Sequence, residues 1–268
     1  MKMNGSKLTR WSRVVNPQTG RGLLIPIDHG LTSGAIEGLR NSATPARWLN
    51  HPAITAVVAH KGMVARLNET GCLLGKGVIL QLNGMISSAA QPHRKEMVAS
   101  IDAALRMGAD AVSLDLVFDG EQDSHNLKLL GAVADEASAY GLPVLVMVKC
   151  LGAQAAGDLA IPRLRRVVRS VWELGGDAVK LQKPDSISDI PLLLDGLADD
   201  IHVFFAGGPR SSDEEIARLL TLGLNSGAKG LCVGRNVFQN VHPEKFLTAL
   251  GLRAARQSEE SPALATAD

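Results

Sequence analysis

Seven residues of this chain have types and positions suited to covalent and anion chemistry: Lys180, Lys149, Asp28, Gly207, Gly208, Gly234 and Arg235. Lys180 follows Ala178-Val179 in an otherwise apolar run, where an amine costs stability unless it is paired or kept neutral. A desolvated amine near another cation has a lowered pKa and attacks carbonyls, giving an iminium that serves as an electron sink for carbanion chemistry. The structural alternative is a lysine that snorkels or pairs with a carboxylate, and spacing alone leaves the two readings level. Lys149 ends the preceding apolar run, so two amines can face one pocket and each disfavour protonation of the other. Lys149 is therefore a rival nucleophile, or a cation that binds an anionic substrate group, whereas Lys183 reads as a rim cation.

Asp28 closes the run Leu23-Leu24-Ile25-Pro26-Ile27 and can act as general acid/base or salt-bridge the lysine. Beside it, His29 reads as a hydrogen-bonded supporting group rather than a base. Near the C-terminus, Ala206-Gly207-Gly208-Pro209 and Gly234-Arg235-Asn236 follow the last two apolar runs. Glycines let backbone N–H groups approach phosphate oxygens, a following helix N-terminus adds partial positive charge, and Arg235 adds charge-assisted hydrogen bonds. Either segment alone could be a tight turn, but the pair favours a phosphate site. His29, His60, His93, His125 and His202 have no paired-ligand spacing, and lysine chemistry calls for no metal or other cofactor.

The elements that must position these residues are eight short apolar runs bounded by turn signals: 23–29, 56–62, 78–84, 111–118, 143–150, 178–183, 202–208 and 230–236. Helical patterns separate most of them. Leu164, Val167, Val168 and Val171 make an apolar stripe in Pro162 to Leu174, with Arg163, Arg165, Arg166 and Arg169 on the wet side. Met97, Ile101, Ala104 and Leu105 predict a helix over Arg94 to Met107, and Ser212 with Glu215 predicts a capping box. Strict alternation of strand and helix implies right-handed parallel crossovers, and eight units close a (β/α)8 TIM barrel. An open doubly wound sheet is the alternative, but Asp28-His29-Gly30 after the first run is no dinucleotide fingerprint. In a barrel the working groups sit at the C-terminal strand ends, which here also offer His60, Lys61, Gln81, Asn83, Asp115 and Gln182.

Composition agrees. A chain of 268 residues, 46% apolar and 3% aromatic, suits one α/β domain over residues 1–256, with 257–268 reading as a frayed tail. Lys+Arg of 28 against Asp+Glu of 27 leaves a net charge of +1, so no global field recruits nucleic acid or an anionic membrane. Cys72, Cys150 and Cys232 are odd in number and widely spaced, which supports neither a disulfide framework nor a zinc site and suits a reducing cytoplasm. The segment Met1 to Arg13 is basic without the apolar stretch of a secretory signal, and no apolar run approaches membrane-spanning length.

With these motifs in order, the chain resembles the archaeal-type class I fructose-bisphosphate aldolase family, which includes 2-amino-3,7-dideoxyheptulosonate synthase. The likeness rests on Ile27-Asp28-His29-Gly30, Gly176-Asp177-Ala178-Val179-Lys180, Ala206-Gly207-Gly208-Pro209, and Gly227-Ala228-Lys229-Gly230 leading to Gly234-Arg235-Asn236-Val237-Phe238-Gln239. It implies a Schiff base on Lys180, acid/base duty for Asp28, and phosphate held at the two glycine segments. By the same analogy the partners are a phosphorylated ketone or ketose and an aldehyde, and the assembly is a homo-oligomer. Where the family carries Tyr-Pro-Arg-Gly, this chain has Lys149-Cys150-Leu151-Gly152. Lys149 is thus expected in the tyrosine's place, transferring protons or gripping an acidic acceptor such as an amino-acid semialdehyde, while Leu151 argues against a second phosphate there. The competing readings are a phosphosugar isomerase using Asp28 and Lys149, and a barrel that only binds a phosphorylated metabolite.

Overall fold

The eight apolar runs pair as parallel neighbours in chain order and close on themselves, making a single (β/α)8 TIM barrel. A computed structural model describes residues 3, 5–152 and 156–260. The strands are β1 (Gly22–Pro26), β2 (Ala56–Ala59), β3 (Gly77–Gln81), β4 (Asn83–Gly84), β5 (Glu96–Met97), β6 (Ala111–Phe118), β7 (Val144–Cys150), β8 (Ala178–Gln182), β9 (His202–Ala206) and β10 (Gly230–Cys232). All except β4 and β5 belong to the barrel; those two form a separate antiparallel hairpin.

The period of two along each strand decides which side chains look inward. Leu24, Val58, Ile79, Leu145, Ala178 and Phe204 share a buried cluster inside the barrel, while the alternate positions pack outward on the helices. Continuing that inward parity toward the C-terminal ends gives Asp28, Asp115, Lys149, Lys180 and Gln182. The ladders set Asp115 opposite Met147 and Met147 opposite Lys180, so these three lie in one row across β6, β7 and β8.

The other end of the barrel is closed by the helix Gly5–Val14, whose Trp11 and Val14 join the interior cluster. The basic N-terminal stretch is therefore a floor plug. Lys7 reaches the Asp177 carboxylate at 2.7 Å, and Asp177 also accepts from the Val144 N–H at 2.9 Å, which ties the plug to β7 and β8. Burial pushes the Asp177 carboxyl up from its ordinary value, and Lys7 partly opposes this.

Several expected boundaries differ. The helix predicted over Arg94 to Met107 spans only Ile101–Arg106, because the Ser100 hydroxyl caps it by accepting from the Ala103 N–H at 3.1 Å. The residues before it are extended, held by Val98 and Ala99 N–H groups that both donate to the Leu82 carbonyl, at 2.7 and 3.0 Å. Lys61 opens the helix Lys61–Glu69 instead of ending β2, and Arg235 opens the one-turn helix Arg235–Phe238 instead of ending β10. In the helix Ala160–Glu173 the buried stripe is as expected, but Arg163 is not on the wet side: it pairs with Asp123 of the neighbouring helix Asp123–Ala139. Ser212 caps the helix Asp213–Asn225 by accepting from the Glu215 N–H at 3.1 Å; the Glu215 carboxylate turns to Lys183 rather than back to the cap. The last helix runs Pro243–Glu260, so residues 257–260 continue it, and 261–268 lie outside the described residues.

Candidate active site

A cavity of about 670 Å³ opens at the C-terminal ends of the strands. It is lined by all seven residues singled out above: Asp28, Lys149, Lys180, Gly207, Gly208, Gly234 and Arg235. A second cavity, of about 500 Å³, lies at the floor beside Trp11 and His202 and contains none of the strand-end groups.

Lys180 is half-buried, and its Nζ approaches the Met147 sulfur at 3.5 Å. No carboxylate among the described residues is within ion-pair reach of it, so neither a structural salt bridge nor the anticipated Asp28–Lys180 pair is present. Instead Asp28 Oδ1 sits 3.5 Å from Nδ1 of His29. The Cys232 thiol, which lines the same cavity, is fully buried and its pKa is pushed up to about 11 by burial, with Lys180 opposing and Asp28 reinforcing the shift. A thiol held protonated in this way is not a nucleophile.

His29 was expected to be hydrogen-bonded, yet its Nδ1 has no hydrogen-bond partner, and the ring packs edge-on against Phe238 at 5.2 Å. Burial lowers its pKa; Lys180 and Arg235 push the same way, while Asp28 and Asp115 oppose. A neutral imidazole follows.

Lys149 stands one inward step beyond Met147 on β7 and is exposed at the rim, whereas Lys180 lies deeper. The two amines share the cavity at different depths. Lys149, Lys180 and Arg235 have no ion-pair partner among the described residues, and Lys183 is held by Glu215. The cavity therefore presents three basic side chains that no carboxylate among the described residues pairs with.

The loops after β9 and β10 meet around Asn236, which is fully buried. Its Nδ2 donates to the carbonyls of Gly207 (3.1 Å) and Pro209 (3.3 Å), and its Oδ1 accepts from the Ser211 N–H at 2.9 Å. A Cβ on Gly207 would stand 2.6 Å from that Nδ2, and one on Gly234 would stand 2.6 Å from the Pro26 carbonyl, so both loops need glycine for close approach. Gly208 has φ +71°, a left-handed conformation that glycine adopts freely. No acceptor among the described residues takes the N–H of Gly207, Gly208, Gly234 or Arg235. Asn236→Ala leaves a buried carbonyl and N–H unpaired, so we expect a loss of about 2–3 kcal/mol. Thermal unfolding followed by circular dichroism should register a midpoint about 5–9 °C lower; an unchanged midpoint would mean that Asn236 does not join the loops.

Sequence reasoning missed Lys95. It is 7% exposed, lines the cavity, and pairs with Asp115. Gln81 and Asn83, read as cavity groups, lie behind this pair. The Gln81 Nε2 donates to Asn83 Oδ1 at 2.8 Å; Asn83 Oδ1 accepts from the Asp115 N–H at 2.8 Å while its Nδ2 donates to the Asp115 carbonyl at 3.1 Å. His60 and Lys61 line a smaller neighbouring cavity of about 330 Å³. The only signal for Lys95 was the extended run between Pro92 and Ser100, which the spacing of Met97, Ile101 and Ala104 masked as helix.

Comparison with known proteins gives a consistent result. The family described as DeoC/LacD family aldolase matches residues 23–240. The chain is 29% identical over 244 residues to 2-amino-3,7-dideoxy-D-threo-hept-6-ulosonate synthase 1 of Archaeoglobus fulgidus, covering 91% of this chain and 89% of that protein. It is 27% identical over 263 residues to 2-amino-4,5-dihydroxy-6-oxo-7-(phosphonooxy)heptanoate synthase of Streptomyces griseus, covering 96% and 95%. Among solved structures, an archaeal fructose-1,6-bisphosphate aldolase with its catalytic Lys bound to a carbinolamine intermediate superposes with a TM-score of 0.81 at 22% identity, covering 92% of this chain and 99% of that chain.

Proposed function

Since the chain belongs to the DeoC/LacD family of aldolases and is thus an aldol-type enzyme, we propose that it makes or breaks a carbon–carbon bond through a Schiff base on Lys180. The donor is a phosphorylated ketone such as dihydroxyacetone phosphate. Its carbonyl condenses with the Lys180 amine, water leaves, and the iminium draws electrons from the neighbouring C–H bond. Asp28 takes that proton, giving an enamine that attacks an aldehyde. The donor phosphate is received by the N–H groups of Gly207, Gly208, Gly234 and Arg235, with the Arg235 guanidinium beside them.

The observation that carries this reading is Lys180 itself, an amine with no carboxylate partner, in the same cavity as Asp28 and two loops with uncommitted N–H groups. The acceptor is an aldehyde with an acidic end, gripped by the exposed Lys149 ammonium at the rim. Support for that comes from the Streptomyces relative, named for a product that combines a 2-amino carboxylic acid end with a 6-oxo-7-phosphonooxy end.

The test is borohydride trapping. Incubated with dihydroxyacetone phosphate and reduced, the protein should gain the ketone phosphate on the tryptic peptide containing Lys180. An unmodified Lys180 peptide with every phosphorylated ketone tried, alongside solvent deuterium entering the substrate, would replace this reading by enediolate isomerisation.

A further inference from the structure

We propose that Lys95 is the acid that protonates the acceptor oxygen during carbon–carbon bond formation, with Asp115 as its positioning residue. This rests on the reading of Lys180 as the Schiff-base residue. The hairpin of β4 and β5 places Lys95, within a stretch whose spacing reads as helix. After β3 leaves the barrel the chain continues as Asn83-Gly84, and Glu96-Met97 returns antiparallel to it. That return directs Lys95 inward over the mouth, while Glu96 and Met97 stay exposed. The Lys95 carbonyl is fixed from the opposite side by Nε2 of His125, at 3.0 Å.

Two features point to chemistry rather than stability. First, a largely buried Lys–carboxylate pair is seldom more stabilising than apolar residues of the same volume, because both charges must be desolvated. Here the pair also has a dedicated support: Asn83 holds the Asp115 backbone at both its N–H and its carbonyl, and Gln81 holds Asn83. Second, the pair is in line with Lys180. Asp115, Met147 and Lys180 occupy one row on three adjacent strands. At the usual strand separation, Asp115 and Lys180 are about 10 Å apart at the backbone. Asp115, Lys95 and Lys180 line one cavity, so an aldehyde bound there can meet both amines. The other candidate, Lys149, stands one inward step further out and is exposed.

The enamine π pair on the Lys180 adduct forms the new bond to the aldehyde carbon, and the C=O π pair moves onto the aldehyde oxygen. That oxygen takes a proton from the Lys95 ammonium, leaving a neutral amine beside the Asp115 carboxylate, which favours reprotonation from solvent. The iminium that remains on Lys180 is hydrolysed, releasing product. Lys149 is left free to bind the acceptor's acidic end.

Lys95→Arg is the deciding variant, because arginine keeps a cation on Asp115 while its guanidinium is too weak an acid to give up a proton. Dihydroxyacetone phosphate serves as donor, and glycolaldehyde, glyceraldehyde 3-phosphate and aspartate 4-semialdehyde as acceptors. Lys95→Arg and Lys95→Met should both retain the borohydride adduct on the Lys180 peptide and solvent-deuterium exchange of the donor, while kcat for condensation falls about 100-fold or more and KM for the aldehyde barely moves. Full condensation by Lys95→Arg would reduce the pair to a structural salt bridge and overturn the assignment. So would a parent enzyme that exchanges the donor proton yet condenses with none of the three aldehydes. An absent adduct in the parent is a different failure, that of the Lys180 reading. Should Lys95→Met not fold, Lys95→Arg alone decides.

Discussion

Lys180→Met lowers aldol turnover by at least about 10⁴-fold, because the covalent route is lost and only positioning and electrostatic stabilisation remain. The borohydride adduct disappears with it. The substitution is otherwise mild: methionine has nearly the length of lysine, fits beside Met147, and removes no ion pair, since no carboxylate among the described residues holds the amine. The melting midpoint should stay level or rise, as an amine is removed from a position two residues from the fully buried Ala178. Mass spectrometry of the trapped protein, a condensation assay and a thermal melt check the three parts. Retention of more than about a hundredth of the parent turnover would move the nucleophile elsewhere, with Lys149 the first place to look.

Asp28→Asn should lower donor proton exchange and condensation together by about 10³-fold, within the range general base catalysis contributes. Unlike the lysine variant it should still be trapped by borohydride, since the amine that forms the iminium is untouched. This contrast orders the steps: adduct first, proton removal second. A further sign comes from His29, because Asp28 is the largest influence raising its pKa against burial. Removing that carboxylate lowers the His29 pKa further, so the imidazole should stay neutral to lower pH in the variant, which NMR titration of the ring protons measures. Exchange at the parent rate in Asp28→Asn would assign the base to another group.

Most of the architecture was legible in the sequence because it is written in local terms. Branched apolar runs at regular intervals, glycine pairs at helix ends and polar residues at run ends together gave the barrel, its strand order and the end where its polar residues gather. Asp28, Lys149 and Lys180 were legible as polar groups at the ends of apolar runs, and all three line one cavity. Gly207 and Gly234 were legible as glycines in the right loops, but the reason for them was not: the atoms a Cβ would strike belong to Asn236 and Pro26, and the one at Pro26 is distant in the chain.

Elsewhere the sequence is silent for a physical reason. A two-residue strand has no period, so β4 and β5 left no pattern, and the helical spacing of Met97, Ile101 and Ala104 extended the helix about two turns too far toward its N-terminus. The basic N-terminal stretch shows its purpose only when Trp11 meets the interior cluster of a closed barrel.

What the sequence by itself determined is the barrel, the end of it where polar residues gather, and the residues that line one mouth. Burial periodicity and turn chemistry act between near neighbours, and they suffice for that. Only the tertiary structure decided that Lys180 lacks a carboxylate partner, that Lys149 sits at the rim, that Lys95 is buried against Asp115, and that Asn236 joins the two glycine loops. Each of those depends on which groups closure of the barrel brings within hydrogen-bond or ion-pair reach, and no local pattern records that.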